Sequence, residues 1–238
     1  RCFTAGKVFG NSTVEMSGGT VVRNVYGGGN MGSVGKGNYA GGADDYSTSG
    51  YGETLTGNLW DNTNDYSKAF LGSGKCIVNI TGGTIGYIDE SDPSNSMYPW
   101  NSTASLPYGN VFGGCRGESA PNIVETPRYL YSPEFFVGYA NETAVTIGKT
   151  DGNGPTILGS VYGGGMDGHI RRDASVTILG GEIGVPFNDT NKGILGTDPN
   201  NLQWLARGNV YGSGSGIGKY KYDFDYDGKY ESTVKYDN

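Results

Sequence analysis

Two short hydrophobic patterns alternate along the chain. In the first, apolar and polar residues alternate up to a pair of glycines: Thr13-Val14-Glu15-Met16-Ser17-Gly18-Gly19-Thr20-Val21, then Ile77-Val78-Asn79-Ile80-Thr81-Gly82-Gly83-Thr84-Ile85-Gly86, then Ser175-Val176-Thr177-Ile178-Leu179-Gly180-Gly181-Glu182-Ile183-Gly184. Thr143-Ala144-Val145-Thr146-Ile147-Gly148 is a degraded fourth copy. The second is Asn24-Val25-Tyr26-Gly27-Gly28-Gly29, which returns as Asn110-Val111-Phe112-Gly113-Gly114-Cys115, Ser160-Val161-Tyr162-Gly163-Gly164-Gly165 and Asn209-Val210-Tyr211-Gly212-Ser213-Gly214. Lys7-Val8-Phe9-Gly10 is a shorter echo of it.

Period-two alternation is the mark of a strand with one buried face, and a following Gly-Gly supplies a corner where positive φ costs little. Strands of two to five residues are too short to pair stably alone. They become stable if equivalent segments stack about 4.8 Å apart in parallel, which places Val25, Val111, Val161 and Val210 in one internal column and Tyr26, Phe112, Tyr162 and Tyr211 in an aromatic column beside it. The expected fold is therefore all-β: a parallel β-solenoid, or β-helix, of four to six coils of either hand, with long loop insertions and a C-terminal β-hairpin. At stacked corners a Cβ would push the coils apart, a second reason for glycine. The Val-Tyr/Phe-Gly copies lie 86, 50 and 49 residues apart. Because that period is irregular, a β-sandwich or β-prism with similar hairpins is the competing reading.

Insertions account for the spacing. Residues 1–218 are read as repeats interrupted at about 35–74, 87–109, 116–142 and 185–208, and 219–238 as an aromatic and acidic C-terminal hairpin or cap. The 87–109 and 185–208 insertions resemble each other, since Asp92-Pro93-Ser94-Asn95 precedes Trp100 as Asp198-Pro199-Asn200-Asn201 precedes Trp204. They are expected to leave the same corner of successive coils.

Composition narrows the field. Glycine is 44 of 238 residues and only 17% are charged, which excludes a helical bundle, while clustered glycines exclude collagen. Net charge is -7, with no basic block to offset it, so nucleic acid is not an expected partner. No apolar run reaches the roughly 20 residues of a membrane span. The chain begins at Arg1 rather than Met and reads as a processed or excised piece. Cys2, Cys76 and Cys115 are odd in number and too few for a disulfide framework. Cys115, standing where other copies have Gly, is read as a small buried filler, with a bridge to Cys76 or Cys2 as the alternative. The sequons at Asn11, Asn79, Asn101, Asn141 and Asn188 carry no inference in so Asn- and Thr-rich a chain.

Three sets of residues are candidates for chemistry. Trp60, Trp100 and Trp204, all in insertions, offer ring faces to sugars or a partner chain, or else anchor loop mini-cores. Asp223, Asp225, Asp227 and Gly228 match the opening of a calcium loop, although its twelfth position is Val234, so Glu231 would have to compensate. An edge hairpin turning at Asp227-Gly228, its acids balanced by Lys219, Lys221 and Lys229, is the rival account, and calcium is the one cofactor considered. The only histidine, His169, lies near Asp167, Arg171, Arg172 and Asp173. Those residues suit an acid/base cluster holding an acidic sugar, or a solvated turn.

The wording Val-Tyr-Gly-Gly-Gly-Asn-x-Gly, alternating with Thr-x-Val-x-Ile-x-Gly-Gly-x-Ile, resembles the Gly-rich repeats of large secreted and surface proteins of Bacteroidota. The likeness covers about a third of the chain. It implies a β-solenoid in an extracellular or cell-surface setting and no particular chemistry. The expected function is a non-catalytic structural or adhesive module: a surface stalk, adhesin or filament subunit. Its partners would be copies of itself or neighbouring repeats, with glycan contact through the insertions. The alternative is a glycan-active β-helix protein, whether a binding module, a lyase or a hydrolase.

Overall fold

The computed structural model describes residues 6, 8, 10–30, 32–35, 74–88, 108–117, 138–170 and 172–215. They form mostly short strands with two short helices, and every paired strand runs parallel to its neighbour. In chain order the strands are β1 Ser12–Val21, β2 Val25–Tyr26, β3 Lys75–Ile85, β4 Val111–Phe112, β5 Tyr139–Ala140, β6 Glu142–Ile147, β7 Thr156–Ile157, β8 Val161–Tyr162, β9 His169–Ile170, β10 Ala174–Ile178, β11 Glu182–Ile183 and β12 Val210–Tyr211. The helices, α1 Asp189–Leu195 and α2 Leu202–Leu205, both precede β12.

Four tiers follow from the register. Val14, Val78, Val145 and Val176 are successive partners across β1, β3, β6 and β10, as are Met16, Ile80, Ile147 and Ile178. Beyond the Gly-Gly corner, Val21, Ile85, Ile157 and Ile183 form a second column across β1, β3, β7 and β11. Val25, Val111, Val161 and Val210 form the third. The tier order is the same in all three. Side chains of these columns converge in one core, where the middle tiers are sealed: Val78, Ile80, Ile85, Val111, Ile147, Ile157 and Val161 are each 0% exposed.

The aromatic column forms as the alternation predicts. Tyr26 stacks on Phe112 at 5.0 Å, Phe112 on Tyr162 at 4.8 Å and Tyr162 on Tyr211 at 4.9 Å, with interplanar angles of 6°, 12° and 15°. These separations match the strand spacing, so the ladder itself sets the ring stack.

The glycines serve two separate needs. At the Gly-Gly corners the second glycine takes positive φ, at 81° for Gly19, 94° for Gly83 and 96° for Gly181. The Gly-Gly-Gly segments need no such conformation. There the backbone ladder continues, with Gly27 N–H donating to Phe112 O (2.9 Å), Gly113 N–H to Tyr162 O (2.9 Å) and Gly163 N–H to Tyr211 O (2.8 Å). A Cβ on Gly27, Gly113 or Gly163 would strike the carbonyl of the next tier.

A polar ladder runs beside the aromatic one. Asn24 Oδ1 accepts from Gly109 N (3.1 Å) and Asn110 N (2.9 Å), Asn110 Oδ1 accepts from Ser160 N (2.8 Å), and Ser160 Oγ accepts from Asn209 N (3.1 Å). This is why the Val-Tyr unit begins with Asn or Ser: a short side-chain acceptor meets the amide of the tier above.

Some expectations are corrected. Val8, in the shorter echo, forms a parallel bridge with Val34. The degraded third-tier copy is a full member, because its second half returns at Thr156-Ile157 after a loop containing Gly148 (φ 83°) and Gly152 (φ 88°). The segment after Gly165 is not merely a turn, since His169–Ile170 pairs with Tyr139–Ala140. Cys76 and Cys115 are buried thiols in a second small core with Val34 and Ala140. Cys115 thus has the filler environment expected of it, and Cys2 lies outside the described residues.

Burial, with a smaller contribution from Cys76, pushes the Cys115 thiol from 9.0 up to about 12. Burial and the adjoining Tyr211 likewise raise Tyr162 from 10.0 to about 12. Both folded values exceed the unfolded ones, so the unfolded chain releases these protons first. Their contribution to stability is complete below pH 9 and is lost as pH rises toward 12. Urea midpoints should accordingly hold from pH 7 to about 9 and fall above it, with the fall between pH 10 and 12 reduced by Tyr162→Phe. A midpoint flat to pH 11 would contradict these environments.

Candidate functional site

The corner between the second and third columns is where the 87–109 and 185–208 insertions leave the tiers. Its backbone forms a ladder of its own: Gly109 N–H donates to Arg23 O (3.1 Å), Gly159 N–H to Gly109 O (3.0 Å) and Gly208 N–H to Gly159 O (2.8 Å). At the second tier the chain departs after Gly86 and returns at Gly109, and a Cβ on Gly86 would meet the Gly109 Cα at 2.9 Å. At the fourth it departs after Gly184 and returns at Gly208, with the Gly208 Cα 2.5 Å from a Cβ on Gly184. Both departing glycines have positive φ, 99° and 97°. Paired glycines thus form a narrow neck, and the first and third tiers pass straight through. The two insertions share one corner, as their likeness predicts, but they leave the second and fourth tiers and not successive ones, because the third tier runs from Ile157 to Val161 without an insertion between them.

The fourth-tier insertion is helical rather than an irregular loop. Asn188 caps α1, its Oδ1 accepting from Asn191 N (2.9 Å), and Asn201 Oδ1 accepts from Trp204 N (3.2 Å) at the start of α2. Trp204 is 8% exposed; its Nε1–H donates to Gly196 O (2.8 Å) and Phe187 meets its ring edge-on at 4.7 Å and 76°. Of the two roles weighed for this Trp, the geometry is that of a mini-core anchor. The exposed aromatic there is Phe187, at 45%, with Lys192 Nζ 4.6 Å over its ring.

Arg207 stands at the returning neck and is 6% exposed. Its N–H donates to Trp204 O (3.0 Å), prolonging the α2 turn, and its side chain runs along the stack. There Nη1 donates to Leu158 O (2.8 Å) in the third tier and reaches toward Tyr108 O (3.5 Å) at the second-tier neck. Nε and Nη2 have no hydrogen-bond partner among the described residues. Burial pulls its pKa from 12.5 down to about 10, so the group remains a cation at neutral pH. Four residues earlier, Gln203 is also buried, and its Oε1 has no partner among the described residues. The corner therefore holds two unmet donors and an unmet acceptor beneath its cover.

Sequence reasoning passed over both residues. The available signal was a polar pair four residues apart in the otherwise apolar run Leu202-Gln203-Trp204-Leu205-Ala206-Arg207, directly before a neck glycine.

The other candidates are described only in part. Arg172 is held by Glu142 at 2.9 Å and so is not an open cation, while Asp173 is exposed and Arg171 lies outside the described residues. The backbone of His169 belongs to β9. Trp60 and Trp100, together with Asp223, Asp225, Asp227 and Glu231 and the whole 219–238 hairpin or cap, lie outside the described residues. Among the described residues no three His, Cys, Asp or Glu side chains gather to hold a metal, and no helix is long and apolar enough to cross a membrane. Comparison with protein families, with curated proteins and with solved structures finds no match to this chain.

Proposed function

We propose that the chain is a β-solenoid acting outside the cell as a non-catalytic structural or adhesive module. In this reading its fourth tier accepts a further tier of the same kind and its insertions meet glycans. The observation that carries the proposal is the difference between tiers. Val210, Tyr211 and Ile178 of the fourth tier are 47%, 43% and 42% exposed, whereas their third-tier partners Val161, Tyr162 and Ile147 are 0%, 4% and 0%. An apolar end bordered by strand edges is a template for more strand, which proteins otherwise take care to blunt.

First-tier chemistry suits that end. Val14, Met16, Val21, Val25 and Tyr26 occupy the same columns as Val176, Ile178, Ile183, Val210 and Tyr211. A first tier set on the fourth would continue every column, and such head-to-tail contacts do not close on themselves, so they build fibres. The extracellular setting rests on the wording of the repeats, which resembles that of large secreted and surface proteins of Bacteroidota.

Light scattering across a concentration series is expected to show growing mass, with elongated particles under the electron microscope. Val210→Lys should reduce association by at least roughly tenfold, because it places a charge in the apolar junction. A wild-type protein that stays monomeric throughout, with the amides of β12 protected from exchange, would instead mean that this chain closes its own end, and the assembly reading would fall.

A further inference from the structure

The tiers explain the columns but leave Arg207 and Gln203 unexplained. A buried guanidinium without a counter-charge is among the costlier features a fold can carry, and a buried amide oxygen without a donor adds to it. The pattern of what is met and unmet is specific. Nη1 is occupied by Leu158 O, whereas Nε and Nη2, which point the same way from one edge of the planar group, are both vacant. That edge offers two parallel N–H donors at the spacing of the two oxygens of a carboxylate. Gln203 Oε1, four residues earlier in α2, asks for an O–H or N–H.

We propose that Arg207 and Gln203 form a binding site for a hydroxy acid, specifically the uronic acid unit of an acidic glycan. The carboxylate is gripped by Nε and Nη2 of Arg207, and a ring hydroxyl donates to Gln203 Oε1. The proposal deepens the glycan part of the reading above and rests on it. A neutral sugar can accept from the fork through its hydroxyl oxygens but brings no charge to offset the guanidinium, and sulfate has no O–H to give Gln203, so one ligand that meets all three groups and the charge is a sugar acid. Both residues belong to the 185–208 insertion and are buried. Access requires local opening of α1 and α2, helices of seven and four residues in which Leu195, Gln203 and Trp204 are buried among the described side chains. Such short elements open at low cost.

The experiment measures thermal stability and calorimetric binding of the full chain with glucuronate, glucose and sulfate, for wild type, Arg207→Met, Arg207→Lys and Gln203→Leu. Glucuronate is expected to raise the wild-type Tm, with no rise from glucose and a smaller one from sulfate. Arg207→Met removes the uncompensated charge and should melt several degrees higher than wild type without ligand, yet gain nothing from glucuronate. Arg207→Lys keeps a charge but loses the fork and should bind roughly tenfold more weakly. Gln203→Leu should abolish the preference of glucuronate over sulfate. If Arg207 only braces the corner through Leu158 O and Tyr108 O, Arg207→Met melts lower than wild type and glucuronate shifts nothing, which overturns the proposal. Equal shifts from sulfate and glucuronate would also overturn it, reducing the site to one for an adventitious ion only. A glycan array separates its failure from that of the broader reading: neutral glycans bound without acidic ones defeat this site alone, and no glycan bound defeats both.

Discussion

Gly113→Ala is expected to destabilise the protein by on the order of 3 kcal/mol or more, whereas Gly212→Ala, at the same place in the repeat, should stay within about 0.5 kcal/mol of wild type. Neither glycine needs positive φ, so alanine is not barred by its dihedral preference, and restriction of the unfolded chain would even favour it by about 0.4–1 kcal/mol. Steric contact decides the sign. A methyl on Gly113 would press into the Gly163 carbonyl oxygen and come within 2.8 Å of Val145 Cγ2 in a sealed layer. Neither neighbour can retreat, because Gly163 O belongs to the backbone ladder and Val145 is 1% exposed. On Gly212 the same methyl meets nothing within 4 Å, since no described tier lies beyond. For a chain of this length the first change should lower Tm by roughly 6–12 °C, read by calorimetry. Gly212→Ala then becomes a probe of assembly: a monomer melt unchanged, with weaker association by light scattering, is the result expected if a further tier seats there. Equal loss of stability from both changes would show that the glycines answer to local conformation and not to stacking.

That pair of glycines illustrates what could be read in advance. Columns were legible wherever stacking demands the same residue type at the same place, as with Val25, Val111, Val161 and Val210, because a misfit residue would part the tiers. The neck corner was legible for the same reason, its Gly86 and Gly184 recurring in equivalent copies. What escaped was whatever stacking does not constrain. The third tier replaces a two-glycine corner by a loop, so Thr156-Ile157 sat out of register with its relatives although it pairs like them. Helices α1 and α2 are too short for a 3.6-residue period to show, and their polar caps read as ordinary turn residues. Arg207 was hidden because its side chain is held by a backbone carbonyl of another tier, Leu158 O, which lies 49 residues away in sequence. Nothing local to Leu205-Ala206-Arg207-Gly208 encodes that contact.

Phe112→Ala should be the most damaging side-chain truncation, at about 3–5 kcal/mol, and should far exceed Tyr211→Ala. Both residues sit in one aromatic column, yet their surroundings differ. Phe112 is 0% exposed and stacked on both faces, at 5.0 Å and 4.8 Å, so its loss leaves a cavity between two rings that the ladder holds a fixed distance apart. The rings cannot close over the gap without shortening β-pairs already at hydrogen-bond length, such as Gly27 N to Phe112 O and Gly113 N to Tyr162 O. Tyr211 is 43% exposed and stacked on one face only, so truncation there forfeits a single ring contact of about 0.5–1.5 kcal/mol and some partial burial. Phe112→Leu separates the contributions: it restores most of the volume and should cost less than about 1.5 kcal/mol for altered shape, with the lost ring stacking added to that. Urea denaturation of the single changes, with the Phe112→Ala and Tyr162→Ala double change to close the cycle, would measure the coupling, expected to be at least about 0.5 kcal/mol for rings in contact. A zero coupling, or equal costs at 112 and 211, would mean that the rings stack only because the strands carry them there. The stability of the column would then reside in its Val and Ile positions alone.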